Sequence, residues 1–132
     1  TDAGCFSNDG YTHDAQCVSY IGPDTEHNGK EICFNANEDT VTIVDVTTKS
    51  SPVMISRTGY SNSQYTHQGW LTEDQRYFLM NDELDEQTLG HNTKTYIWDM
   101  LNLDSHHKSL VFIMVLNVQS ITIFILRETL PI

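Results

Sequence analysis

The chain predicts an all-β fold, a partial β-propeller of two consecutive four-stranded antiparallel meander blades. Two repeats point there. Tyr11-Thr12-His13-Asp14 returns as Tyr65-Thr66-His67-Gln68, and Thr42-Ile43-Val44-Asp45 returns as Tyr96-Ile97-Trp98-Asp99, both 54 positions later. Repetition at one offset means a supersecondary unit beside its copy, and about 50 residues is a propeller blade length. A third observation is the alternation of short β-branched or apolar runs with turn residues across residues 11–100, the pattern of strands joined by tight connections.

Each element follows from local composition. Residues 11–20 read as a strand after a turn at Gly10. Gly22-Pro23-Asp24 opens a polar loop that runs to Lys30, because Gly and Pro break regular structure. Glu31-Ile32-Cys33-Phe34 is a short apolar strand, and residues 35–39 form a turn. Val41 to Val46 is β-branched apart from Asp45, which favours a pleated, half-buried strand. A turn at residues 47–52 leads to a fourth strand, Val53 to Arg57. The pattern then restarts with strands at Tyr65 to Leu71, Arg76 to Met80 and Lys94 to Met100. Blade one therefore covers about 11–58, and blade two about 65–116 if the tail completes it. The long loop follows the first strand in one copy and the second strand, at residues 81–92, in the other. Repeats absorb length differences in this way, between strands. Thr72-Glu73-Asp74-Gln75 suits one helical turn or a type I turn, and no long amphipathic helix is expected.

At 132 residues the chain holds one domain of ordinary size. It is too short for a closed propeller, which needs at least four blades. Its first residue is Thr1 and not Met, so a fragment of a longer protein is expected. Residues 1–100 hold 5 Lys/Arg and 16 Asp/Glu, which accounts for the whole net charge of −11. Such an acidic body repels phosphate backbones, which excludes nucleic acid as an expected partner.

After Ser105 the composition changes. Ser109 to Leu126 carries no charge and is dense in Ile, Val, Leu and Phe. About 18 apolar residues is the lower limit for a membrane span, but Asn117, Gln119, Ser120 and Thr122 interrupt the run. A membrane role is therefore not the expectation. Two further strands or an unselected tail are the alternatives, and residues 106–132 are set apart as a tail of doubtful origin.

The run Tyr65-Thr66-His67-Gln68-Gly69-Trp70-Leu71-Thr72-Glu73-Asp74-Gln75-Arg76-Tyr77-Phe78 resembles the choice-of-anchor B family, surface or secreted proteins built of LVIVP-type β-propeller repeats. Gly10 to Cys17, Glu31 to Asn35 and Asn81 to Gln87 are similar to that family too. Thr42 to Thr47, with Pro52, looks like the repeat signature itself. The resemblance covers about residues 1–105. It implies a propeller and an extracellular or cell-surface location, and it brings no catalytic residues. It stops where the composition changes. Ser120 to Ile125 can be encoded so that another frame reads Asp-His-Asn-Leu-Tyr, a motif that the family carries at the start of its next blade. The tail from about His106 therefore reads as an out-of-frame translation.

Few residues carry candidate chemistry. His13 and His67 hold equivalent repeat positions. The first strand of each blade lines a propeller's channel, so both are expected to line it, either as ligands from different blades or as hydrogen-bonding pins. Asp82, Glu83, Asp85 and Glu86 form the densest acidic run. Calcium favours clustered carboxylates, but the run lacks the spacing and turn glycine of a calcium loop, so a solvated loop is the alternative. Apart from calcium no cofactor is expected. Cys17 and Cys33 fall on consecutive predicted strands and suit a cross-strand bridge, or else two reduced, buried thiols, with Cys5 left over. Asp45 and Asp99 end matched strands, where Asp shapes turns by accepting backbone N–H bonds. No nucleophile elbow or phosphate-cradling glycine loop occurs.

The resulting functional expectation is a non-catalytic surface binding or scaffold module for an unknown ligand or surface protein. The alternatives are a metal-dependent or hydrolytic propeller using the channel histidines and acidic loop, and a fragment with no role of its own. Exposed blade edges are expected to promote self-association. The nucleotide sequence checks the tail: codons from 106 onward that cannot yield the family's words in another frame end that reading.

Overall fold

A computed structural model describes residues 3–105 and the backbone of 109–114. Two four-stranded antiparallel meanders account for nearly all regular structure. The first contains β1 (Asp14–Ser19), β2 (Glu31–Asn37), β3 (Thr40–Asp45) and β4 (Val53–Gly59) in sequence order. The second contains β5 (Thr66–Leu71), β6 (Tyr77–Asp82), β7 (Lys94–Asp99) and β8 (Ser109–Met114), again in order. The all-β architecture with two blade-like units stands. The tail supplies β8, which completes the second meander against β7. His106-His107, Asn117 and Ser120 to Ile125 lie outside the described residues, and among those described no helix is long and apolar enough to cross a membrane.

The repeat is visible in the strands. β3 and β7 match residue for residue at the offset of 54. The long connections fall where expected, after β1 and after β6. The second of them holds a short helix, α1 (Asp85–Leu89), which ends at Gly90 in the left-handed conformation, φ 71°. No apolar periodicity marks so short a helix. Thr72 to Gln75 closes as a turn, with Gln75 N–H donating to Thr72 O at 2.8 Å.

The two sheets pack face to face. Tyr20, Ile32, Phe34, Val41 and Ile43 of the first meet Leu71, Phe78, Met80, Tyr96, Trp98, Met100 and Leu103 of the second in one buried cluster. The rings of Phe34 and Phe78 stack at 5.6 Å. Side chains also bridge the sheets to backbone: Leu71 N–H donates to Gln16 Oε1 at 2.6 Å and Ile21 N–H to Gln75 Oε1 at 2.8 Å. The first of these satisfies an N–H on the free edge of β5 that would otherwise be left unpaired as the sheets pack.

Cys17 and Cys33 stand directly opposite each other and form a disulfide, with Cα atoms 4.0 Å apart. Tyr20 N–H donates to Lys30 O, and counting back in steps of two places Cys17 and Cys33 in a narrow, non-hydrogen-bonded pair. The bridge closes a loop of 16 residues, worth about 3 kcal/mol in chain entropy. Cys5 remains free and exposed.

The outer face of the first sheet is polar and covered. Asn35, Asn37, Thr40 and Thr42 are all buried. The N-terminal segment lies across them as a strap, with Asp9 as its anchor. Its carboxylate accepts from Asn37 Nδ2 at 2.9 Å and Thr40 Oγ1 at 2.8 Å, and also from Thr42 Oγ1 and Arg57 Nε. Burial tends to raise the Asp9 carboxyl, but Arg57 and the Thr42, Thr40 and Asn37 donors together hold it below the ordinary value. A carboxyl depressed on folding stabilises the native state above its unfolded value of about 4, and that contribution fades as pH falls toward the folded-state value. Asp9→Asn should therefore flatten the loss of stability below about pH 4. Urea unfolding across that range checks it, and identical acid slopes in both proteins would contradict the strap's role.

Candidate functional site

Each Tyr-Thr-His repeat sits at the start of a first strand, and the sheet packing brings the two histidines together. Thr66 pairs with Asp82 and Gln68 with Asn81, so His67 is the extra residue of a bulge. Bulges re-aim a side chain relative to the regular pleat. His13 stands in the matching place: its N–H donates to Ala36 O at 2.9 Å while Asp14 already pairs with Ala36. The imidazole centroids lie 4.9 Å apart. Tyr65 stands edge-on to His13 at 5.1 Å, with its hydroxyl 3.3 Å from Nδ1. That contact engages Nδ1 of His13. Tyr11 flanks the pair, 6.3 Å from His13 and 59% exposed.

Glu83 joins this group. It follows β6 directly, and its N–H donates to Tyr65 O at 2.9 Å. One ligating atom each from His13, His67 and Glu83 lie within 4.8 Å of one another. Glu38 is its counterpart, the residue directly after β2, and its carbonyl accepts from Thr66 N–H at 2.5 Å. Burial, followed by the charges of Glu38, Tyr11 and Glu83, pushes the Tyr65 phenol up. The end of the sheets where β1 and β5 begin is thus aromatic, imidazole-bearing and anionic.

The acidic run does not form one cradle. Asp82 is fully buried, and its carboxylate accepts from Tyr60 Oη at 2.8 Å and from the N–H groups of Gln64, Tyr65 and Leu84 at 2.7, 2.9 and 3.1 Å. Burial pushes the Tyr60 phenol strongly up, which keeps it a donor. Asp85 is fully buried at the start of α1 and accepts from Lys94 N–H at 2.9 Å. Glu86 accepts from Thr93 Oγ1 at 3.2 Å. The four carboxylates share no common cradle, because two members turn inward to satisfy backbone donors. Only Glu83 meets the histidines.

A second group, Asp24, His27 and Asp104, has its ligating atoms equally close. Its groups are already engaged. His27 Nε2 lies 2.9 Å from Asp104 Oδ2, and Lys30 Nζ lies 3.3 Å from Nδ1. Asp24 accepts from Leu103 N–H at 2.8 Å. This network ties the segment after β7 to the loop after β1, and the Lys30 ammonium supplies the positive charge. Sequence reasoning missed it because His27 and Asp104 are 77 residues apart and neither falls in a repeat. Asp45 and Asp99 accept from Thr47 and Leu101 N–H, each at 2.9 Å, which is turn-shaping chemistry.

No family model, no curated protein and no solved structure matches the chain.

Asp82 holds the approach to β5 in place and so positions Tyr65 beside His13. Asp82→Ala leaves buried donors unpaired, and each unsatisfied group costs about 1–3 kcal/mol. The variant should lose about 3 kcal/mol or more in urea unfolding. A loss under about 1 kcal/mol would show that water replaces the carboxylate and that the anchor is dispensable.

Proposed function

We propose that the chain forms two blades of a larger β-propeller of the choice-of-anchor B kind, serving as a non-catalytic binding or scaffold module at the cell surface. The observation that carries this is the alignment of equivalent side chains at one end of two packed meanders. Tyr11, His13, Tyr65 and His67 come from matched repeat positions and converge there. A ring of such units would present the same side chains repeatedly around its axis, on a rigid frame suited to recognition. The Cys17–Cys33 disulfide supports an oxidising, extracellular compartment. The acidic body favours protein or small-molecule partners over nucleic acid.

Membrane-impermeant biotinylation of intact source cells tests the location. The parent protein should be labelled without lysis, and non-reducing mass spectrometry should recover the Cys17–Cys33 peptide pair. Labelling confined to lysed cells, or reduced thiols at both positions, would count against a surface role.

A further inference from the structure

We propose that His13, His67 and Glu83 form a binding site for a divalent transition metal of the zinc class, shared between the two sheets. The donor set is two imidazole nitrogens and one carboxylate oxygen, all within 4.8 Å. Imidazole-rich sets suit zinc, copper and nickel, whereas calcium takes six to eight oxygens. The ligand class therefore differs from the calcium that the acidic run suggests by composition.

Three features favour a cation here. First, the ligands come from separate segments and converge only because the sheets pack: His13 precedes β1, His67 is the bulged residue of β5, and Glu83 follows β6. Second, the Tyr65 hydroxyl at Nδ1 orients the His13 ring, and the metal would take its Nε2. A hydrogen bond to the far nitrogen is what a metal-ligating histidine usually has. Third, Glu38 and Glu83 place negative charge around the group, and the chain carries −11 overall, so an anion would be repelled. Ligands around a tetrahedral zinc at about 2.0–2.1 Å stand about 3.4 Å apart. Glu83 is exposed and both rings are half-exposed, so side-chain rotation closes the remaining gap without moving a strand. Three protein ligands leave a fourth position open to water or to a bound partner.

The same logic excludes the Asp24, His27 and Asp104 group, where the Lys30 ammonium already sits 3.3 Å from the imidazole. The proposal needs the two sheets side by side and nothing of the surface role, so the two stand or fall separately.

The test is a zinc titration of the intact chain against a chromophoric chelator, with calcium in parallel and circular dichroism to confirm folding. One zinc per chain is expected, undisturbed by calcium. His67→Ala and Glu83→Gln should each weaken binding about tenfold or more, and Asp104→Asn should leave it unchanged. Glu83 is exposed, so the Gln variant keeps its fold. Cobalt(II) should give ligand-field bands without a thiolate charge-transfer band. Unchanged zinc affinity in either His67→Ala or Glu83→Gln, absence of saturable binding, or a cobalt–thiolate band assigning the metal to Cys5 would overturn the proposal.

Discussion

The structure depends on each meander covering the apolar face of the other. A four-stranded sheet of this size cannot bury a core alone, because one face stays wet and hydrophobic area is lost to water. Phe34 against Phe78 at 5.6 Å marks the centre of the contact, with Ile32, Ile43, Met80 and Trp98 around it. Within the second sheet, the packing of β6 on β5 is tight enough to dictate residue choice. A Cβ on Gly69 would lie 2.2 Å from the Phe78 ring, so only glycine lets that ring lie over β5. The closeness of His13 and His67 follows from the same contact, since β1 and β5 meet only because their sheets do.

Much of the fold was legible because strands leave local traces. β3 and β7 kept the same offset in sequence and in space, and the long connections fell at breaker-rich segments such as Gly22-Pro23-Asp24. The pairing of His13 with His67 was half legible: repeat equivalence showed that they belong to matched positions, but not that a bulge aims one of them. What stayed hidden depended on distant partners. Asp9 finds Thr40 and Arg57, 31 and 48 residues away, with no period to announce it. The acidic run was only partly legible for a related reason. Composition counts charges but not their directions, and Asp82 and Asp85 turn inward while Glu83 stays at the surface.

One correspondence shows how a repeat can persist after its letters have changed. Asn37 ends β2 as Asp82 ends β6. In the second sheet the strand supplies the carboxylate, and the incoming segment donates through Gln64 and Tyr65 N–H. In the first, the strand supplies the amide of Asn37 and the incoming segment supplies the Asp9 carboxylate. Donor and acceptor have exchanged sides, yet each sheet's approach is pinned by one buried carboxylate. The exchange leaves Asn37 Oδ1 buried without a partner, and it is invisible to a comparison of residue types.

The two long connections project from opposite ends of the stack. The one after β1 builds the Asp24–His27–Asp104 junction, so its length is tied to the mating of the two sheets. The one after β6 begins at Glu83 and carries α1, beside the histidine pair. Its first residues are tied down, with Asp85 buried on Lys94 N–H, so insertions would reshape what the molecule meets without loosening the fold only in the exposed stretch 86–90. One end of the body thus joins the two sheets, and the other combines a buried anchor with an exposed rim where specificity can vary.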